Sequence, residues 1–137
     1  MPYATPDDLE ARYGADELVQ LTDRVGAGVP DADVVARALA DADAEIDGYL
    51  ASRYSLPLEH TPTMLARIAC DIARYRLWED RASDEVRRRY EDARRVLEAI
   101  ARGVVSLGMS ETQAAPALAE VRPGVQRVMD RAGTGGY

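Results

Sequence analysis

Three stretches of this chain repeat apolar residues at steps of three and four, and that period leaves room for little besides packed helices. In the first, Val35, Leu39, Ala42, Ile46, Tyr49 and Leu50 recur across a segment expected to be helical over 32–53. In the second, over 62–81, Leu65, Ile68, Ala69, Ile72, Ala73 and Tyr75 make a wide stripe flanked by Cys70 and Trp78. A wide stripe predicts a central helix touching several neighbours. In the third, over 84–102, Val86, Tyr90, Ala93, Leu97 and Ile100 form a narrow seam. The outer face of this third helix is laced with i,i+4 pairs: Glu85–Arg89, Arg87–Glu91, Glu91–Arg95, Arg94–Glu98 and Glu98–Arg102. Each such pair adds about 0.2–0.5 kcal/mol, whereas burying one large seam side chain is worth roughly 1.5–3 kcal/mol. The seam therefore holds the helix in place, and the charges keep its other side wet.

Start and stop signals bound these segments. Asp31 and Ser83 are N-cap residues for the first and third, and Thr61-Pro62 reads as a cap followed by a first-turn proline for the second. Pro57 stops any continuation of the first, and Gly103 ends the third. Upstream, Thr5-Pro6 with Asp7 and Asp8 opens a short helix whose inner face holds Leu9 and Tyr13 and which Gly14 can end. A second short helix is expected from Asp16 to about Thr22, with Leu18, Val19 and Leu21 apolar, and Val25 to Pro30 reads as a loop. On 33, 37, 41 and 47 the first long helix presents charge to the side away from its stripe (Asp33, Arg37, Asp41, Asp47). There is no Phe, and only 6% of residues are aromatic, so the core must come from Leu, Ile, Val and Ala. The expected fold is all-α: a compact bundle of three long helices with short N-terminal helices.

Charge and cysteine content narrow the function classes. The net charge is −7, with twelve acids against three arginines over residues 1–48, and twelve acids against fourteen arginines over 49–137. A net acidic domain repels a nucleic-acid backbone and can favour a basic protein partner. The lone Cys70 cannot form an internal disulfide. The N-terminal stretch has neither the basic nor the apolar region of a signal peptide. No apolar run approaches the ~18 residues of a membrane span. The chain is expected to be made and kept in the cytoplasm, or in something assembled there.

Catalytic and metal chemistry finds little to work with. The single His60 lies in a loop beside a helix start, without cysteines or acids at metal spacing. Cys70 sits within an apolar stripe, where a thiol acts as a small hydrophobe. Asp43, Glu45, Asp47 and Gly48 imitate the start of a calcium loop, but the position that should supply a bidentate Glu is Tyr54, and the helical period runs straight through. Arg87, Arg88, Arg89, Arg94 and Arg95 share their helix with Asp84, Glu85, Glu91, Asp92 and Glu98, which makes a salt-bridged outer face rather than a nucleic-acid platform. No catalytic residue, metal site or cofactor is expected.

Three stretches together carry a resemblance. They are Tyr3 to Gly14 continuing through Asp16 to Arg24, Ala38 to Pro57 with Glu45-Ile-Asp-Gly-Tyr-Leu50 followed by Arg53-Tyr54 and Leu56-Pro57, and Leu65 to Leu77. This order, over about residues 3–108, resembles the Mu-like phage and prophage protein thirty-six family. The resemblance implies a helical head-completion protein, or head-tail connector, that is not an enzyme. It implies binding to portal, neck and tail subunits and to its own copies, as a ring of about twelve, in the virion and, during assembly, in the host cytoplasm. Neither membrane nor sequence-specific nucleic acid is implied. The expected division is an adaptor domain over 1–108 and a partly ordered tail over 109–137. Apolar residues with weak local structure mark Val104, Val105, Leu107, Met109, Val125, Val128 and Met129 as a candidate partner-binding tail, with a frayed end as the other reading. The alternative is a small helical regulatory protein that binds DNA or an enzyme, motivated by the arginine-rich helix.

Overall fold

The computed structural model describes residues 2–109 and 111. It contains α1 (Pro6–Tyr13), α2 (Ala15–Thr22), α3 (Ala32–Leu50), α4 (Thr63–Trp78) and α5 (Asp84–Ala101), with a 3-10 turn at Glu79–Arg81. No strand occurs among the described residues.

The caps follow local chemistry. At Thr5 the side chain accepts from the Asp8 N–H while Asp8 accepts from the Thr5 N–H, a reciprocal box that ties down two orphan donors. Gly14, at φ 90°, ends α1 and starts α2. Asp31 accepts from the N–H groups of Asp33 and Val34, and Ser83 from that of Val86. The α4 start departs from expectation. Pro62 is the N-cap, with an extended ψ of 146°, so the helix begins at Thr63 and Thr61 caps nothing. At the other end Glu79 takes φ 57°, which breaks the α-helical ladder and leaves 79–81 as the 3-10 turn rather than a last turn of α4. The first long helix also stops short of its expected end. It closes at Leu50, and the N–H groups of Arg53 and Tyr54 turn back to the Leu50 carbonyl, which swings the Tyr54 ring into the core.

Helix α4 lies at the centre, packed on α3, α5, α1 and α2, as its wide stripe predicts. The core is built from Leu9, Ile46, Leu50, Leu65, Ile68, Ile72, Leu97 and Ile100, each fully buried, with Ala42, Ala69 and Ala73 at the close contacts. Of the third-helix seam, Val86, Ala93, Leu97 and Ile100 are buried and Tyr90 is half-buried. The outer-face pairing is only partly the expected one. Glu85–Arg89 and Arg94–Glu98 form, at 3.1 and 3.8 Å, while Arg87 and Arg95 turn instead to Asp84 and Asp92 three residues back.

Polar contacts fix the helix directions. Arg53, just past the end of α3, bonds the Ala101 carbonyl at the end of α5, and Glu45 of α3 meets both Arg76 of α4 and Tyr90 of α5. Helices α3 and α5 are therefore parallel, and α4 runs back between them. One end of the bundle holds the 23–30 loop, the start of α3 and the 79–81 turn, joined by Arg24–Glu79 at 3.4 Å. The other end holds the 51–62 connection and the segment after α5.

One placement corrects the reading of α3. Asp47 does not face away from the body. The N-terminal segment crosses α3, with the Tyr3 N–H donating to Asp43 at 3.0 Å and the Tyr3 hydroxyl to Asp47. Tyr3 and Ala4 are buried beneath this crossing. Burial, then the Tyr3 N–H and the Asp47 charge, act on Asp43, and the net effect raises its carboxyl above the usual range.

Candidate functional site

On the side where α3, α4 and α5 meet, the rings of Tyr75 and Tyr90 stack at 4.1 Å between centroids and 2° between planes. The Tyr90 hydroxyl donates to Glu45 at 3.1 Å, and Arg76 donates to the other Glu45 oxygen at 2.8 Å. The Arg94 guanidinium lies 5.9 Å from the Tyr90 ring centre. Asp41, Ala44 and Tyr49 complete a shallow open depression with Arg76, Tyr90 and Arg94. The α4 stripe is the reason Tyr75 is here: it sits at the stripe edge, where its ring is half-buried against Tyr90. Tyrosines held rigid by stacking, beside arginines, are the side chains that anchor protein interfaces.

A second polar network joins α4 to α1 and α2. Arg74 makes a bidentate pair with Glu17 at 2.7 and 3.0 Å, the Trp78 indole N–H donates to the same carboxylate at 3.2 Å, and the guanidinium lies 4.3 Å over the Tyr13 ring. Burial raises the Glu17 carboxyl, but the bonds from Arg74 and Trp78 outweigh it and the net direction is down. The Tyr13 hydroxyl donates to Asp71 at 2.6 Å, and Arg67 approaches the other Asp71 oxygen at 3.5 Å. Asp71 is only 5% exposed. With Arg12, Arg89 and Asp92 these groups line a cavity of about 490 Å³. Asp71 is engaged on both oxygens by the chain itself, so the cavity floor is satisfied structure rather than a free acid or base.

The residues weighed for catalysis stand apart. Cys70 is fully buried in α4. Burial pushes its thiol up to about 11, so the thiolate is scarce at neutral pH. A thiol reagent is expected to leave native protein unmodified over minutes and to titrate one thiol after unfolding in guanidinium, read by absorbance. Rapid reaction of the native chain would place Cys70 at a surface. His60 is exposed in the connection before α4. Among the described residues, no group of three or more His, Cys, Asp or Glu has a metal-holding arrangement, and no helix is long and apolar enough to cross a membrane.

The candidate tail residues divide. Val104 is 72% exposed. Val105, Leu107 and Met109 are partly buried against the core of the body. Val125, Val128 and Met129 lie outside the described residues. What ties the 104–109 segment down is a pair whose reach is not legible locally: Arg53, expected as the last residue of the first long helix, and Tyr54 just after it. The Tyr54 hydroxyl accepts the Leu107 N–H at 3.0 Å, and Arg53 holds the Ala101 carbonyl at 3.1 Å and Glu111 at 3.0 Å. Gly103, at φ 81°, passes directly under the Arg53 guanidinium, so a Cβ there would clash with it. Gly103→Ala is expected to cost about 1–2 kcal/mol for the left-handed backbone alone, measured by denaturant unfolding. An unchanged midpoint would mean the turn relaxes freely.

Sequence comparison supplies what geometry alone does not. Residues 3–123 match the family described as Bacteriophage Mu, Gp36. Over 109 residues the chain is 44% identical to the Mu-like prophage FluMu protein gp36 of Haemophilus influenzae, covering 80% of this chain and 77% of that protein. Over 118 residues it is 42% identical to Gene product J of Escherichia phage Mu, covering 85% and 84% of the two.

Proposed function

The chain belongs to the bacteriophage Mu Gp36 family, and from that premise we propose that it is a head-tail connector, a head-completion protein that works by docking rather than by catalysis. It binds portal, neck and tail subunits and its own copies, and in the assembled particle it stands in a ring of about twelve. It acts in the virion and, during assembly, in the cytoplasm of the host bacterium, without a membrane or a specific nucleic-acid sequence as partner.

The observation that carries this reading is the family match across the whole helical body. Two features of that body support it. Its interior is filled by its own core, so the surfaces are left for contact, and the stacked tyrosines with Arg76 and Arg94 form a rigid anchor patch on one of them. The arginines of α5 support a protein partner over DNA, because those at 87, 89, 94 and 95 are paired with acids of the same helix.

Mixing the full chain with purified portal of the same phage, followed by sedimentation and electron microscopy, is expected to give a complex with extra ring density on one portal face. No binding at tens of micromolar, together with a salt-dependent shift of labelled DNA, would replace this reading with the regulatory one.

A further inference from the structure

Helix α5 is closed off by its own backbone. The Gly103 N–H donates to the Ile100 carbonyl at 3.0 Å and the Val104 N–H to the Ala99 carbonyl at 2.9 Å, and the Val105 N–H reaches the same Ala99 oxygen at 3.3 Å. Gly103 takes the left-handed φ of 81° that such a closure needs. The helix end is therefore satisfied without help from the chain that follows.

From Ser106 on, the chain is held differently. Among the described residues, no backbone–backbone hydrogen bond joins 106–111 to the body. The Gly108 N–H donates to the Ser106 hydroxyl, within the segment itself. The fasteners are two side chains from just beyond α3. The Tyr54 hydroxyl accepts the Leu107 N–H at 3.0 Å, and Arg53 pairs with Glu111 at 3.0 Å. Leu107 and Met109 add partial burial. Each fastener is weak. One neutral hydrogen bond shifts an equilibrium by about fivefold. The ion pair, with side chains 35% and 38% exposed, shifts it by at most about fivefold.

Under the segment lies unfilled space. A cavity of about 190 Å³ has Tyr54, Ser55, Pro57, Leu58 and Glu59 along one wall, and Met109 and Glu111 along the other. Tyr54 and Leu58 are only 2% and 4% exposed. Glu59 and Glu111 line the same cavity, so like charge pushes the walls apart while Arg53 draws Glu111 in. Ordering 106–111 also costs conformational entropy. Closure is a small difference between opposing effects.

We propose that residues 106–111 are a lid that opens as one unit from the intact helical body, turning beyond the α5 cap and latched by Arg53 and Tyr54. Opening joins the cavity to solvent and uncovers Tyr54 and Leu58. No turn of α5 has to unravel, because its closure is complete at Val105. Elements that move come from the least stable part of a fold, and the lid is such a part, separate from the core. It is a property of the single chain, so it stands or falls apart from the connector reading.

Two measurements on the full chain test it. The first is amide hydrogen exchange followed by nuclear magnetic resonance in low urea. Leu107 is expected to exchange at least tenfold faster than amides in the middle of α4, with a rate nearly independent of urea, because opening the lid exposes little surface. Glu111→Gln leaves the Leu107 bond untouched, yet should speed exchange at Leu107 by about two- to fivefold and leave α4 protection unchanged. The second is labelling of L58C by a neutral thiol reagent, with buried Cys70 as the internal reference. L58C is expected to react at least tenfold faster than Cys70, and about fivefold faster again when Tyr54→Phe removes the hydroxyl. Exchange at Leu107 that ignores Glu111→Gln overturns the lid as a unit. L58C reacting as slowly as Cys70, or at one rate with and without the Tyr54 hydroxyl, overturns the opening itself.

Discussion

Leu97→Ala is expected to lower the stability of the folded chain by about 3 kcal/mol, within the roughly 2–5 kcal/mol that buried leucines cost on truncation. Leu97 is fully buried in the middle of the α5 seam, between Ala93 and Ile100. Alanine removes its apolar transfer energy and leaves a void that rigid neighbouring helices close only in part. For a helical body of this size the melting temperature should fall by about 10 °C or more, followed by far-ultraviolet circular dichroism. Arg88→Ala, on the wet side of the same helix, is the control and should stay within about 0.5 kcal/mol of wild type. Equal melting temperatures for the two variants would mean that the seam does not face the core.

The seam shows why so much of this fold is legible in the sequence. A helical stripe is a local pattern, and one helix can bury one stripe only by packing it on another. Leu97, Ile100, Ile46 and Ile72 therefore announce their burial within their own segments. The caps at Thr5, Asp31 and Ser83 are legible for the same reason, since each serves N–H groups two or three residues away. What escapes is set by partners distant in the chain. Asp47 reads as a solvated residue because nothing nearby says that Tyr3, forty-four positions earlier, will donate to it. Arg87 and Arg95 choose acids three residues back over Glu91, which lies four residues from each, a preference worth tenths of a kcal/mol that no residue spacing encodes. The tyrosine stack is another such case. Tyr75 appears as a stripe residue and Tyr90 as a seam residue, and only the antiparallel register of α4 and α5 brings their rings together.

The candidate tail tests that distinction between local and distant information. Apolar residues amid glycines, without a helical period, read as a free segment from Val104 onward, yet Val105, Leu107 and Met109 pack on the body. Tyr54 is the residue that makes the difference, and it lies fifty-three positions before the Leu107 N–H it accepts. Its ring is buried, and the turn after α3 exists to place it. Tyr54→Ala is expected to cost about 3–5 kcal/mol, as for other large aromatic truncations. Tyr54→Phe keeps the ring and deletes only the acceptor, so it should cost about 1 kcal/mol. The milder variant is the more informative. Its loss should be confined to the segment, with hydrogen exchange at the Leu107 amide accelerating while amides in the middle of α4 hold their protection relative to global stability. That result makes residues 104–109 a strap belonging to the helical body. Unchanged exchange at Leu107 in Tyr54→Phe would release the strap from the body and return Val105, Leu107 and Met109 to the set of residues free to bind a partner.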